Sequence, residues 1–255
     1  MLQLNYWNKW LSVIHVLQGI AIFVFGAAYA LPVISNYIAA DPINSAVEGH
    51  SVLTYSSRQL FQFNLVYLIV AFFIVSAIAH ALAATIYRKQ YEEGLRNNLN
   101  KLRWLEYAIS AGLMIVGIGF LSGVYDISSL FMLFMFIVIM NLLGFAMEQF
   151  NSGKSQPNWT AYWIGCIAGI VPWVVLAVYV FAANIYGDAH IPAFVYWIYV
   201  TMFICFNSFA VNTYLQYKKK GNWASYLYGE KVYMILSLVA KTLLAWQVFA
   251  GALRP

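Results

Sequence analysis

Apolar residues in this chain neither alternate in twos nor keep to one helical face; they run on unbroken. Such runs lie near 10–31, 60–87, 104–125, 128–147, 159–184, 191–216 and 231–253, separated mostly by short polar connections. A helix apolar on every side and about twenty residues long, rising ~1.5 Å per residue, matches the ~30 Å hydrocarbon core of a bilayer. The pattern therefore predicts an all-α membrane protein: one seven-transmembrane-helix bundle over 1–255, with successive helices antiparallel and adjacent. The longest connection, about 32–58, carries Pro32, Asp41-Pro42 and several Ser, Thr and Asn residues. A segment this long has a function or a structure of its own. The first run ends near Ala28-Tyr29-Ala30, which resembles a leader cleavage site. Its apolar stretch after Lys9 is about twenty residues, beyond the roughly 7–15 of a leader core, so it counts as a helix.

Composition agrees with the pattern. The chain is 63% hydrophobic and 9% charged, with a mean hydropathy of +0.71, which no ordinary soluble domain shows. Basic residues sort the connections. Arg88, Lys89, Arg96, Lys101 and Arg103 follow the second run, Lys154 the fourth, and Lys218, Lys219 and Lys220 the sixth. The first connection holds only Arg58, the third and fifth hold none, and Arg254 lies in the tail. By the positive-inside rule the even connections are cytoplasmic, with the N-terminus cytoplasmic and the C-terminus extracellular. The net charge of +5 is thus a matter of topology, and no basic stripe with interleaved aromatics suggests nucleic acid. Cys166 and Cys205 fall inside apolar runs and read as small hydrophobes. The expected setting is an integral, multi-pass protein of the cell membrane, in contact with lipid.

Polar groups inside the runs carry the candidate chemistry. Lys241 lies ten residues from Lys231 and thirteen from Arg254, roughly 15–20 Å from either interface. That is too deep for its amine to reach water along the helix, and a charged amine there costs about 2.5–3.5 kcal/mol. A desolvated amine is also suited to forming a Schiff base with an aldehyde. The alternative is a lysine paired to a carboxylate simply to hold helices together. Glu106 is the one carboxylate clearly away from a span end, about 7 Å from Lys241 in axial depth. Asp126 and Glu148 fall at helix ends, where solvation at the interface accounts for them. Ser237 lies four residues before Lys241, on the same helical face. His15 on the first helix, and His80 with Ser76 on the second, lie at matching depth in the cytoplasmic half, as members of one hydrated pocket would. Met140 and Asn141 on the fourth helix, Trp173 beside Pro172 on the fifth, and Phe206 on the sixth sit where side chains would line a slot for an elongated apolar ligand; ordinary packing is the alternative.

Four segments then resemble one family. Ser237-Leu238-Val239-Ala240-Lys241, Arg103-Trp104-Leu105-Glu106-Tyr107, Gly165 to Trp173 and Phe206-Asn207-Ser208-Phe209-Ala210 are similar, in order and across the chain, to heliorhodopsins. Arg103, Glu106 and Ser110 also resemble the arginine, counterion and hydroxyl positions of microbial rhodopsins more widely. The resemblance implies all-trans-retinal on Lys241, Glu106 as counterion, and Ser237 beside the Schiff base. It assigns His15 and His80 to a polar inner cavity linked to the light-released proton. It further implies a homodimer to which the first extracellular loop contributes, a slow photocycle, and the inverted orientation that the charge count reaches independently.

These features favour light sensing through an unknown signalling partner, with a light-gated proton or ion conductance as the alternative. Outward pumping is disfavoured: Gly117 stands eleven residues after Glu106, where proton-pumping relatives carry a second carboxylate, and Ser237 replaces the carboxylate before the lysine. An enzyme would need a nucleophile or metal cluster, and the histidines lie on separate helices without a third ligand.

Overall fold

The computed structural model describes residues 2–187 and 191–254. The chain runs α1 (Leu2–Phe25), β1 (Ala30–Ala40), α2 (Pro42–Glu48), β2 (Leu53–Asn64), α3 (Leu65–Ala84), α4 (Arg88–Arg96), α5 (Lys101–Leu121), α6 (Ile127–Asn151), α7 (Thr160–Tyr186), α8 (Ala193–Tyr217) and α9 (Tyr226–Val248), with a π-helical turn over Phe249–Leu253. Seven helices, α1, α3 and α5 to α9, are long and apolar enough to cross a membrane. Residues 188–190 of the fifth connection and Pro255, the end of the last predicted stretch, lie outside the described residues.

Two expectations need correction. The protein is not all-α: β1 and β2 form an antiparallel hairpin in the first connection. It also consumes residues that apolarity alone assigns to membrane helices. The first helix stops at Phe25 and the second starts at Leu65, because Asn64 caps α3, its Oδ1 accepting from the Val66 N–H at 3.0 Å. The hairpin is pinned to the bundle, with the Ile34 N–H donating to the Tyr125 carbonyl at 3.0 Å. At its tip α2 is capped by Asp41, whose carboxylate accepts from the Ile43 and Asn44 N–H groups; those donors hold it below the usual carboxylate range.

The bundle is chemically two-ended. Toward the hairpin, one apolar cluster fills the space between the helices, including Ile22, Ile69, Phe72, Ile115, Ile198 and Leu244. At the other end a smaller cluster of Leu4, Leu11, Ala83, Tyr91, Leu95 and Met234 sits among buried polar groups. Amphipathic α4 lies across that end, its Tyr91 and Leu95 buried and an Arg88–Glu92 pair on its outer face.

Helices α5 and α6 approach closely at Gly144, where a Cβ would stand 2.2 Å from the Trp104 ring. Gly144→Val should therefore lower stability by about 1–3 kcal/mol through overpacking, with a smaller loss for Gly144→Ala. Thermal unfolding of the purified protein measures this, and unchanged midpoints would refute the close approach.

Candidate functional site

The buried lysine finds the partners that its depth demands. Lys241 Nζ donates to Ser237 Oγ at 2.6 Å, one helical turn back, and lies 3.1 Å from Glu106 Oε1. The same carboxylate oxygen lies 2.5 Å from Ser76 Oγ, whose single proton is shared with the Phe72 carbonyl at 3.0 Å. Lys241 is 3% exposed and Glu106 5%, so the pair works in low dielectric, where each charge is tolerable only through the other. The lysine nitrogen also stands 5.3 Å from the Tyr107 ring centre. Helices α3, α5 and α9 thus converge on one ion pair.

A cavity bordered by this lysine lies between α5, α6, α7, α8 and α9, with about 820 Å³ of empty space when its open mouth is included. Of the sequence-predicted residues, Lys241, Ser237, Ser110, Met140, Asn141 and Phe206 line it. Trp173 does not; it packs edge-on behind Phe206 with ring centres 5.5 Å apart, so its contribution is to brace the wall. Asn141 donates its amide to the Ile137 carbonyl at 2.8 Å and Ser110 Oγ is buried without a hydrogen-bond partner. The chemistry of the lining fits retinal: mostly apolar side chains with one reactive amine among them, and that amine held by the Ser237 hydroxyl and the Glu106 carboxylate. Lys241 would hold the chromophore covalently and Glu106 would supply its counter-charge.

The histidines come together as expected. His15 and His80 stack with ring centres 5.6 Å apart and planes 13° from parallel, and His80 Nδ1 lies 2.7 Å from Asn8 Oδ1. Both ring nitrogens of fully buried His15 lack a protein partner. A second cavity is lined by His80, Asn8 and Glu106, and continues to Arg103, Tyr91, Asn100 and Glu230. Ser76 is not among its lining residues; it acts on Glu106 instead.

One assignment from the sequence is overturned. Glu148 is not solvated at an interface: it is 2% exposed and binds the Arg103 guanidinium through Oε1. Glu230, 1% exposed, binds the other guanidinium nitrogen. Asn100 bridges the two carboxylates, its backbone N–H donating to Glu148 at 3.0 Å and its Nδ2 to Glu230 at 2.6 Å. Arg103 therefore turns away from Glu106 and clamps α5, α6 and α9 together. The signal was present: an arginine a turn inside α5 needs an anion, and two span-end carboxylates lay at similar depth.

A family model described as Heliorhodopsin matches residues 4–253 of the chain. A search of the curated proteins returns no match.

Arg103→Ala would leave two buried carboxylates uncompensated and should cost about 3–5 kcal/mol. Thermal unfolding measures it, with Arg103→Lys expected to recover part of the loss; wild-type stability in Arg103→Ala would remove the clamp from the account.

Proposed function

Because the chain belongs to the heliorhodopsin family, and is an integral multi-pass membrane protein of seven apolar helices, we propose that it is a light sensor carrying all-trans-retinal on Lys241. The observation that carries this reading is the buried Lys241–Glu106 pair beside an apolar cavity. Retinal held there by Lys241 as a protonated Schiff base would supply light absorption and photoisomerisation. The protein's residues do the rest. Glu106 holds the proton on that nitrogen by balancing its charge, and Ser76 keeps the carboxylate in place. Ser237 accepts from the nitrogen, while Phe206, backed by Trp173, confines the polyene.

The polar and apolar ends argue for sensing over pumping. A pump needs a proton path on both sides of the lysine. Here the space toward the hairpin is filled by Phe72, Ile115 and Leu244, whereas the histidine cavity lies toward the basic connections. A proton leaving toward His80 and returning from the same side moves no net charge. By the charge count those basic connections face the cytoplasm, and the output would be a change of helix positions read by a partner. The hairpin exposes Ile38 at 72% and Tyr55 at 69%, apolar surface that a second copy of the chain would cover.

Expression with all-trans-retinal should give a coloured protein, and Lys241→Ala should give none. Glu106→Gln should shift absorption to the red, because removing the negative charge lets the positive charge spread along the polyene. A colourless wild type, or pigment formed equally without Lys241, would end the reading; an unshifted Glu106→Gln would end the counterion assignment. Time-resolved absorption should show altered proton-transfer kinetics without bleaching in His80→Phe, and identical kinetics would leave His80 a packing residue. Light-evoked currents whose sign follows voltage in clamped cells would replace the sensor by a conductance.

A further inference from the structure

We propose that the Arg103–Glu148–Glu230 cluster stores the proton that leaves the Lys241 nitrogen on illumination, with the Glu230 carboxylate as the group that takes it. The inference rests on the light-sensor reading above and names the acceptor on which that reading depends.

The first observation is continuity. One cavity is lined both by Glu106, the partner of Lys241, and by Glu230, with His80 and Asn8 between the helices that carry them. The second is charge. One guanidinium faces two carboxylates, so with both ionised in the dark, as the proposal requires, the buried cluster holds one negative charge in excess. In low dielectric an uncompensated carboxylate is costly and protonation removes the cost. The third is the set of polar atoms facing the space. Asn8 Nδ2 and Tyr91 Oη are buried, lack a protein partner and line the same cavity, as members of a hydrogen-bonded chain would.

Position favours Glu230 over Glu148. The Glu148 oxygens accept from Arg103, from the Asn100 N–H at 3.0 Å and from Tyr226 Oη at 3.1 Å. Those of Glu230 accept from Arg103 and from Asn100 Nδ2, with the Tyr226 hydroxyl shared between the two carboxylates, and of the two Glu230 is the one lining the cavity. A proton arriving through the cavity therefore goes to Glu230. The groups facing Glu230 are Arg103 and Glu106 on α5, Glu148 on α6, Tyr91 on α4, His80 on α3, and Tyr226 and Tyr233 on its own helix, with Tyr217 of α8 near Glu148. Among them Arg103 alone is a fixed cation. His80 is a way-station: its Nδ1 is already committed to Asn8, and a charge there would sit against stacked His15.

The step balances. The N–H bond at Lys241 breaks, an O–H bond forms on Glu230, and the cluster passes from one excess negative charge to neutral, while Glu106 is left as the unpaired anion beside the neutral nitrogen; the return of the proton to that nitrogen restores the dark state. Tyr91, Asn100 and Leu102 line both this cavity and the outer pocket formed with Gln90, Glu93 and Lys101, so they are the partition that keeps the proton inside. Neutral Glu230 holds Arg103 less tightly, and Arg103 is one of the ties that join α9 to α5 and α6. Proton arrival is thereby converted into a loosened helix clamp.

Light-minus-dark infrared difference spectroscopy on the full chain, reconstituted with all-trans-retinal in lipid, tests this. A carboxylic-acid C=O band should rise as the lysine nitrogen loses its proton and decay as it recovers. Glu230→Asp, which keeps the charge, should move the band's frequency; Glu230→Gln should abolish it; Glu148→Asp should leave it where it was. A band at unchanged frequency in Glu230→Asp, a band moved by Glu148→Asp alone, or a complete proton cycle without any such band would overturn the proposal. A visible spectrum taken first on each sample separates the two readings. Without pigment in the wild type, the light-sensor reading fails and this inference falls with it; with pigment, the infrared result decides.

Discussion

The whole arrangement depends on the cost of a cation far from water. Lys241 lies mid-helix in α9, and the bundle around it answers that single charge. Glu106 on α5 neutralises it, Ser76 on α3 holds Glu106, and Ser237 on α9 accepts from the nitrogen. Three helices are thus registered against one another in depth and rotation by a contact worth keeping only while both partners remain. Removing either would leave the other as an isolated ion in low dielectric, a loss of about 3–5 kcal/mol. Such a pair is a poor way to gain stability, and an apolar contact would serve a purely structural role better. Its retention beside an apolar cavity is what makes chemistry at the nitrogen the better account.

A second set of charges is kept strictly apart from the first. Arg103 lies three residues before Glu106, less than a turn away, yet its guanidinium reaches Glu148 and Glu230. The division leaves the lysine pair balanced and places the excess negative charge of the bundle interior at the basic end. Had Arg103 turned to Glu106, the carboxylate would face two cations and hold the lysine proton less firmly. The separation therefore serves both ends: a tightly paired nitrogen at rest, and an anion waiting at a distance across a polar cavity.

The seven helices, the depth of Lys241 and its pairing with Glu106 were legible because each follows from a one-dimensional quantity, the distance along a helix from its polar ends. His15 and His80 were paired by the same measure and do stack. The hairpin was hidden because its strands begin and end inside apolar runs while their middles read as a polar connection. Ala30 and Leu31 read as the end of the first membrane helix, and Leu60 and Phe61 as the start of the second until Asn64 is recognised as a cap. Glu148 and Glu230 were hidden for the converse reason. A carboxylate at a span end is usually solvated, and nothing in its own neighbourhood says that an arginine from another helix will bury it. Trp173 was placed on the cavity wall because depth says nothing about rotation; its ring lies one layer behind Phe206.

Signalling needs the local event at Lys241 to reach the surface, and the structure narrows how. Toward the hairpin the helices interlock through an apolar cluster whose polar ties, such as Thr201 to Gln247 at 3.1 Å, are uncharged, and the hairpin itself is bonded to the third connection through Ile34 and Tyr125. At the opposite end the helices meet through ion pairs, stacked histidines and the lid helix α4, contacts whose strength changes with the position of one proton. A charge relocated among them alters the attraction between α5, α6 and α9 without requiring the apolar half to move. On the light-sensor reading proposed above, the end bearing the basic connections is where such a change is felt, and it is on that face, among α4 and the segments flanking Lys154 and Lys218, that a partner would sense illumination.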